Sequence, residues 1–102
     1  MDFEIRREGE KTVFVPCGDI VASSEPVLRP ALRDLVRDGA RDVVVDLAGT
    51  SMIDSTGLGL LLSAFISLRQ AGGAFAVVNA SAEILELLRS LRFHQHFGVA
   101  GR

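Results

Sequence analysis

Residues 43–59 read VVVDLAGTSMIDSTGLG, and this stretch decides the fold. Residues 43–45 are an unbroken run of valine, which predicts a central strand over residues 42–46, covered on both faces. A short loop, residues 47–53, follows. Residues 54–56 then place an acid and two hydroxyls, all helix-capping types, directly before a leucine-rich segment. We therefore expect a strand, a loop and a helix, with the polar motif at the carboxyl end of the strand, where α/β sheets place functional loops.

Upstream of this stretch, the pattern predicts a hairpin and a helix. Phe3 and Ile5 alternate with charged residues, as in a half-buried strand, and residues 8–10 mark a turn before a second strand over residues 12–15. The first helix carries an apolar face and ends at Gly39; it begins either at Ser24, with Pro26 in its first turn, or at Pro30. The residues of that face are Leu28, Leu32, Leu35 and Val36.

Downstream, the second helix is predicted to reach about residue 70, with Leu58, Leu61, Leu62, Phe65 and Leu68 on one face. A strand over residues 75–78 and a third helix follow. The helix starts near Asn79 or Ser81, and residues 93–99 supply a short last strand. We expect a single α/β domain over residues 1–102, with a mixed sheet of four to five strands covered by three or more helices.

The composition excludes several classes of function. The formal net charge is −2 and no basic stripe occurs, so we expect no nucleic-acid partner. No apolar run approaches a membrane span, and the charged N-terminus carries no signal-peptide core, so we expect no direct membrane insertion and a cytoplasmic location. Cys17 is the only cysteine, which rules out an intrachain disulfide or a cysteine metal cluster. We expect no metal and no cofactor.

The simplest interpretation of the motif is helix capping. Ser51, Asp54, Ser55 and Thr56 are all N-cap residue types, and Ser51 to Asp54 has capping-box spacing. Two details exceed what a cap requires. Three consecutive candidates occur where one acceptor suffices, and residues 57 and 59 are glycines in the first turns of a helix, each costing about 1 kcal/mol relative to alanine. Small residues there would let another molecule approach the backbone closely.

An enzymatic interpretation of the motif fits poorly. A nucleophilic Ser55 in a small hydrolase would need a base with an orienting partner, and the sequence does not bring His94 or His96 near it. The spacing from Asp54 to Gly57 does not match an aspartic protease, and no phosphate-binding P-loop motif is present.

A phosphorylation switch fits the motif better. Phosphate on Ser55 would add about −1.5 to −2 charges at neutral pH, and helix N-terminal amides could receive it without unfolding the domain. A partner docked on this surface would bury the phosphate next to the like charge of Asp54, which makes binding less favourable by several kcal/mol.

The stretch VVVDLAGTSMIDSTGLGLLLSAFISLRQAGGAFAVVNASAEILELL strongly resembles the STAS domain of bacterial anti-sigma factor antagonists. The shared elements are a strand ending in Asp-Leu, the Ile-Asp-Ser-Thr-Gly-Leu-Gly motif, a helix closing in Ala-Gly-Gly, and a strand ending in Val-Asn before a third helix. The order and spacing match over most of the chain.

The resemblance implies a non-enzymatic partner switch. In this family, the unphosphorylated protein binds an anti-sigma factor that is a GHKL-type serine kinase and so frees a sigma factor; the kinase phosphorylates the antagonist, and a serine phosphatase resets it. By position, the resemblance assigns the phosphorylated residue to Ser55. It places the partner-binding surface on Asp54, Thr56, Gly57, Leu58 and Gly59.

The same surface includes the turn after the second strand. The family often has Gly-Glu-Leu-Asp there, whereas this chain has Gly18-Asp19-Ile20-Val21. Asp19, Ile20 and Val21 are thus assigned to partner binding, with Val21 in place of an acid, which leaves the identity of the kinase and of the sigma factor open. STAS domains also resemble regulatory or structural subunits of lipid or anion transporters, so a transporter assembly without phosphorylation is the alternative. An edge strand in the N-terminal hairpin would allow a homodimer.

Overall fold

The computed structural model describes residues 2–102. These residues form five strands, three α-helices and one short 3-10 helix. The elements are β1 (Asp2–Glu8), β2 (Lys11–Cys17), α1 (Glu25–Arg37), β3 (Asp42–Asp46), α2 (Ser55–Gln70), β4 (Ala74–Ala80), α3 (Ala82–Ser90), the 3-10 helix Phe93–Gln95 and β5 (Gly98–Gly101).

The five strands form one mixed sheet in the order β1-β2-β3-β4-β5. β1 pairs antiparallel with β2, from Asp2 opposite Cys17 to Glu8 opposite Lys11, so the predicted N-terminal hairpin is confirmed. The other pairs are parallel. Because β2 and β3 run in the same direction, the loops that leave their carboxyl ends emerge at one edge of the sheet. The predicted mixed α/β sheet is confirmed.

The three helices share one hydrophobic cluster with the sheet. Val43 and Val45 belong to that cluster, whereas Val44, whose side chain points to the opposite face, does not. Val44 is nevertheless only 9% exposed, and it is flanked by its register partners Val13 and Ala76. All three valines of β3 are buried as predicted, but the helical layer accounts for only one face.

Helix α1 begins at the earlier of the two predicted starts. Ser24 occupies the N-cap position, Pro26 lies in the first turn, and Pro30 is accommodated inside the helix. Gly39 has a φ of 107°, a left-handed conformation that glycine adopts without steric cost, and it ends the helix as predicted.

Of the two predicted starts of α3, Ser81 is confirmed and Asn79 is wrong. Ser81 is the N-cap of α3, where its hydroxyl accepts a hydrogen bond from the Ile84 amide at 3.2 Å, whereas Asn79 belongs to β4, at a φ of 57°. The predicted bounds of the last strand were also wrong. The last strand is Gly98–Gly101, later than expected, because the 3-10 helix Phe93–Gln95 precedes it.

The buried face of α2 is also displaced from the predicted one. The structure buries Gly57, Leu60, Leu61, Ala64 and Leu68, whereas the predicted Leu58, Leu62 and Phe65 are only half-buried. Within the described part of the chain, no helix is both long and apolar enough to cross a membrane.

Candidate functional site

Two loops meet at the carboxyl ends of β2 and β3. The β2–α1 loop, residues 18–24, runs beside the β3–α2 loop, residues 47–54. Ile20 and Ile53 form an isolated parallel bridge: the Ile20 amide donates to the Met52 carbonyl at 3.1 Å, and the Asp54 amide donates to the Ile20 carbonyl at 3.3 Å. The two loops therefore continue the pairing of their strands up to the first turn of α2.

Asp54 is the N-cap of α2 and also reaches across to the other loop. Its Oδ1 accepts a hydrogen bond from the Gly57 amide at 2.9 Å, and its Oδ2 accepts one from the Ala22 amide at 3.0 Å. The bond from the Gly57 amide, with that from Ala22, lowers the pKa of Asp54 below its usual 3.8 against the opposing effect of burial. Asp54 is thus a carboxylate at neutral pH.

Asp19 makes the reciprocal contact from the β2–α1 loop. Its Oδ1 accepts hydrogen bonds from the backbone amides of Ser51 and Met52, both at 3.0 Å. Each loop therefore contributes one carboxylate that binds backbone amides of the other, and the pair fixes the two loops relative to each other.

Two buried hydroxyls fix the ends of these loops. The Ser24 hydroxyl accepts from the Val21 amide at 2.9 Å and lies 2.8 Å from the Asp19 carbonyl, so it closes its own turn and makes no capping bond to α1. The Thr50 hydroxyl, fully buried, donates to the Gly18 carbonyl at 2.8 Å. Both contacts satisfy backbone groups that the loops would otherwise leave without partners.

Gly57 and Gly59 differ in what they permit. A Cβ on Gly57 would lie 2.1 Å from the Ile20 carbonyl oxygen, so the close approach of α2 to the β2–α1 loop requires glycine there. A Cβ on Gly59 would meet nothing within 4 Å. The first glycine is explained by internal packing and the second is not.

Beneath the loops, Asp46 anchors the end of β3. Its Oδ1 accepts from the Ala48 amide at 2.9 Å and from the Asn79 side chain at 3.0 Å, and Arg6 lies 3.5 Å from its Oδ2. Burial raises the pKa of Asp46, but the bonds from Asn79, Ala48 and Arg6 outweigh burial, so the pKa lies below 3.8. The Arg102 guanidinium adds hydrogen bonds to carbonyls of the β3–α2 loop at 3.1 to 3.3 Å.

Comparison with known proteins assigns the chain to a family, because the STAS domain model matches residues 2–101. The chain belongs to the STAS domain family. It is 37% identical over 70 residues to the anti-sigma-B factor antagonist of Bacillus subtilis (strain 168), a match that covers 69% of this chain and 63% of that protein. The matched region thus spans less than two thirds of the curated relative.

Solved structures show the same STAS fold. A protein of Thermotoga maritima, described as a putative anti-sigma factor antagonist, superposes with a TM-score of 0.92 at 17% identity, covering 98% of this chain and 86% of that one. An anti-sigma factor antagonist of Mycobacterium paratuberculosis gives 0.88 at 21% identity, with 99% and 86% covered. A sulfate transporter family protein of Wolinella succinogenes gives 0.77 at 17% identity, with 91% and 78% covered. At these identities the likeness concerns the fold alone.

The structure brings all the sequence-predicted site residues of this STAS domain to one end of the sheet. Ser55 is the first residue of α2 and is exposed. Six others are half-buried around it: Asp19, Val21, Asp54, Thr56, Leu58 and Gly59. Ile20 and Gly57 are buried, so they lie beneath this surface and shape it through their backbones.

Three exposed neighbours were missed by sequence reasoning: Ala22, Ser23 and Met52. Met52 is a large apolar side chain, 54% exposed, whose backbone is bonded to both Asp19 and Ile20. Sequence patterns offered no separate signal for Met52, because Leu47 and Ile53 of the same loop are also apolar and are buried.

His96 lies away from Ser55. The His96 ring is 6.1 Å from the Phe65 ring, and Phe65 is ten residues, or about 15 Å, along α2 from Ser55. Among residues 2–102, no three His, Cys, Asp or Glu side chains come together as metal ligands would.

Proposed function

We propose that this chain is an anti-sigma factor antagonist controlled by phosphorylation of Ser55. Its unphosphorylated form binds a GHKL-type serine kinase that acts as an anti-sigma factor, and a sigma factor is thereby released. Phosphorylation of Ser55 ends the complex, and a serine phosphatase restores it. The observation that carries the proposal is the exposed Ser55 hydroxyl at the start of α2, next to two loops held together by Asp19 and Asp54.

The position of Ser55 suits a modified residue. It is the first residue of α2, and Asp54 takes the capping role, so the Ser55 hydroxyl is not needed for the helix. The first-turn amides of a helix favour negative charge, which allows a phosphate there without loss of the fold. A kinase can therefore reach and modify the hydroxyl of the folded protein.

The surroundings of Ser55 suit a partner. Gly59 leaves open space beside the first turn of α2, and Met52 offers an exposed apolar side chain on the adjoining loop. Because the two loops are cross-linked by hydrogen bonds, the surface is formed before the partner arrives and little ordering is required on binding. Asp19, Val21, Thr56 and Leu58 border the same surface, over the buried Ile20 and Gly57.

The charge change explains the switch. A phosphate of about −1.5 to −2 charges on Ser55 would stand beside the Asp54 carboxylate, whose pKa is already lowered. In the free protein water solvates both groups. Under a docked partner they are desolvated together, and like charge at an interface costs several kcal/mol, or a loss of affinity of about 100-fold or more.

Val21 bears on which partner is recognised. It stands where the family often has an acid, is half-buried, and donates its amide to the Ser24 hydroxyl at 2.9 Å. The turn is thus held by hydrogen bonds between the backbone and the Ser24 hydroxyl. The Val21 side chain takes no part in them and is available to contact a partner. We propose that the kinase partner presents an apolar group at this point, where a partner of an acidic homologue would present a cation.

A hydrolytic role for Ser55 is not part of the proposal. His96 lies beside Phe65, nearly three turns along α2 from Ser55, which supports a binding protein because that imidazole is too distant to act as a base for Ser55. We propose that residues 1–102 act as one cytoplasmic STAS domain without metal or cofactor. Self-association through the edge strand β1 stays a prediction, to be measured separately.

The test uses four baits in extract from the source organism: wild type, Ser55→Ala, Ser55→Asp and Ser67→Asp. Ser67 is exposed on the same helix, twelve residues or about 18 Å from Ser55, so its variant adds equal charge elsewhere. We expect a serine kinase on wild type, Ser55→Ala and Ser67→Asp, absent from Ser55→Asp, and phosphate on Ser55 when that kinase and ATP are added. If all four baits retain transport proteins and no kinase, the transporter-subunit alternative replaces the proposal.

A further inference from the structure

A groove between α1 and α2 is separate from the surface around Ser55. Its floor is apolar and consists of Leu32 and Val36 from α1 and Leu60 and Ala64 from α2. Leu32, Leu60 and Ala64 are at most 7% exposed, so the groove reaches the core between the helices. The free volume is about 140 Å³. A cavity of about 150 Å³ lined by aliphatic and aromatic side chains accommodates benzene, which sets the size of the apolar group that fits.

The rim of the groove is polar and positively charged. Arg29 and Arg33 line it from α1, one turn apart, and Ser63 and Ser67 line it from α2. Arg29 is paired with Glu25 and donates to the Ser63 hydroxyl at 3.3 Å. Its charge is therefore already compensated.

Arg33 is in a different position. Within residues 2–102 no carboxylate lies within 4.0 Å of its guanidinium, while Arg37, one turn further along α1, is paired with Asp34 and Asp38. Arg29 and Arg37 are its neighbours four residues away on the helix, and like charges at this spacing destabilise a helix. One unpaired guanidinium therefore stands over an apolar floor and is complementary to a single negative charge.

We propose that this groove binds a small organic monoanion, a carboxylate attached to an apolar group about the size of a benzene ring. The carboxylate pairs with the Arg33 guanidinium, whose planar fork matches its two oxygens, and the Ser67 hydroxyl lies on the facing rim. The ring or branched chain lies between Leu32 and Ala64. A dianion such as a phosphate ester fits less well, because only one rim charge is uncompensated. The proposal goes beyond the partner switch and does not rest on it.

The test is an amide NMR titration of the 11.0 kDa ¹⁵N-labelled protein with benzoate at low ionic strength, with benzyl alcohol as the neutral compound of matched shape. We expect saturable shifts at the amides of Leu32, Arg33 and Ala64 with a Kd of about 1 mM or tighter, and at least about tenfold weaker binding of benzyl alcohol. Shifts that do not saturate, or equal binding of the alcohol, would overturn the proposal.

Three variants separate the groove from non-specific binding. Arg33→Gln removes the unpaired charge at an exposed position and should raise the Kd of benzoate by about tenfold. Arg37→Gln removes the same charge one turn away, outside the groove, and should leave the Kd within about twofold. Ala64→Leu fills the floor of the groove and should abolish binding of benzoate. If the Ala64→Leu variant does not fold, the comparison of Arg33→Gln with Arg37→Gln still decides whether benzoate binds in the groove. Equal losses in both arginine variants would show general charge attraction and contradict a built site.

Discussion

Asp19 and Asp54 bind each other's loops. Asp19 accepts the Ser51 and Met52 amides at 3.0 Å, and Asp54 accepts the Ala22 amide at the same distance. These three hydrogen bonds replace those that water would otherwise make to the amides of the opposite loop. The surface around Ser55 is consequently a property of the free domain, and several measurements follow from this arrangement.

Asp19→Ala should lower the free energy of unfolding by about 1–3 kcal/mol, because two backbone amides lose a charged acceptor. Asp19→Asn keeps an oxygen at the same place and should cost less than half as much. Urea unfolding of both variants measures the difference. If asparagine and alanine are equally costly, the two amides are not held through Oδ1 as the structure indicates.

The two glycines of the motif should respond with opposite signs to the same substitution. Gly57→Ala places a methyl group 2.1 Å from the Ile20 carbonyl oxygen and should destabilise the fold by about 1–3 kcal/mol or more. Gly59→Ala meets nothing within 4 Å and should stabilise α2 by about 1 kcal/mol. Thermal unfolding of the two variants provides the check, and destabilisation by Gly59→Ala would show that the helix packs differently there.

Gly59→Ala should also weaken the kinase complex while it stabilises the free protein. The methyl group would occupy the space that the proposed partner uses, so stability and affinity should change in opposite directions. Titration calorimetry with the captured kinase measures the affinity. Unchanged binding would remove Gly59 from the partner surface.

Asp46 should make stability depend on acid pH. Its pKa is lowered in the folded state, so the folded protein holds its proton less tightly than the unfolded chain. The stabilisation is present above the unfolded value of about 4 and is lost as pH falls through the folded pKa. Asp46→Asn should therefore show a smaller loss of stability than wild type between about pH 5 and pH 3. Parallel pH curves for the two proteins would contradict this assignment.

Met52→Ser should reduce affinity for the kinase by about fivefold or more, because an exposed apolar side chain beside Ser55 is removed. Leu91→Ser is the matched control: Leu91 is 47% exposed and follows α3. Both variants should keep wild-type stability within about 0.5 kcal/mol. Equal effects of the two substitutions on binding would place the partner surface elsewhere.

Sequence patterns predicted correctly those elements that are determined by a few neighbouring residues. The valine run of β3, the N-terminal hairpin and Gly39 at the end of α1 are all found, because period, β-branching and glycine act over a few residues. The predicted apolar face of α2 was displaced, because leucines at residues 58 and 60–62 lie on several sides of the helix and the small Ala64 gave no signal. Asn79 looked like a helix start, whereas the Asp46 carboxylate holds its side chain at the end of β4.

The part of the candidate site that lies within one segment of the sequence was predictable, and the contacts between the two loops were not. The motif residues lie together in one segment, so their proximity needs no tertiary information. The reciprocal contacts of Asp19 with Ser51 and of Asp54 with Ala22 join positions about thirty residues apart and depend on the parallel pairing of β2 and β3. The internal role of Gly57 likewise appears only once the Ile20 carbonyl is placed against α2.

The phosphorylation switch is tested most directly by comparing the affinity of the anti-sigma kinase for the unphosphorylated protein and for the same protein carrying phosphate on Ser55. We expect a Kd at least about 100-fold weaker for the phosphorylated form, with Ser55→Ala binding like wild type. Equal affinity of the two forms, within about threefold, would show that Ser55 is not the switch.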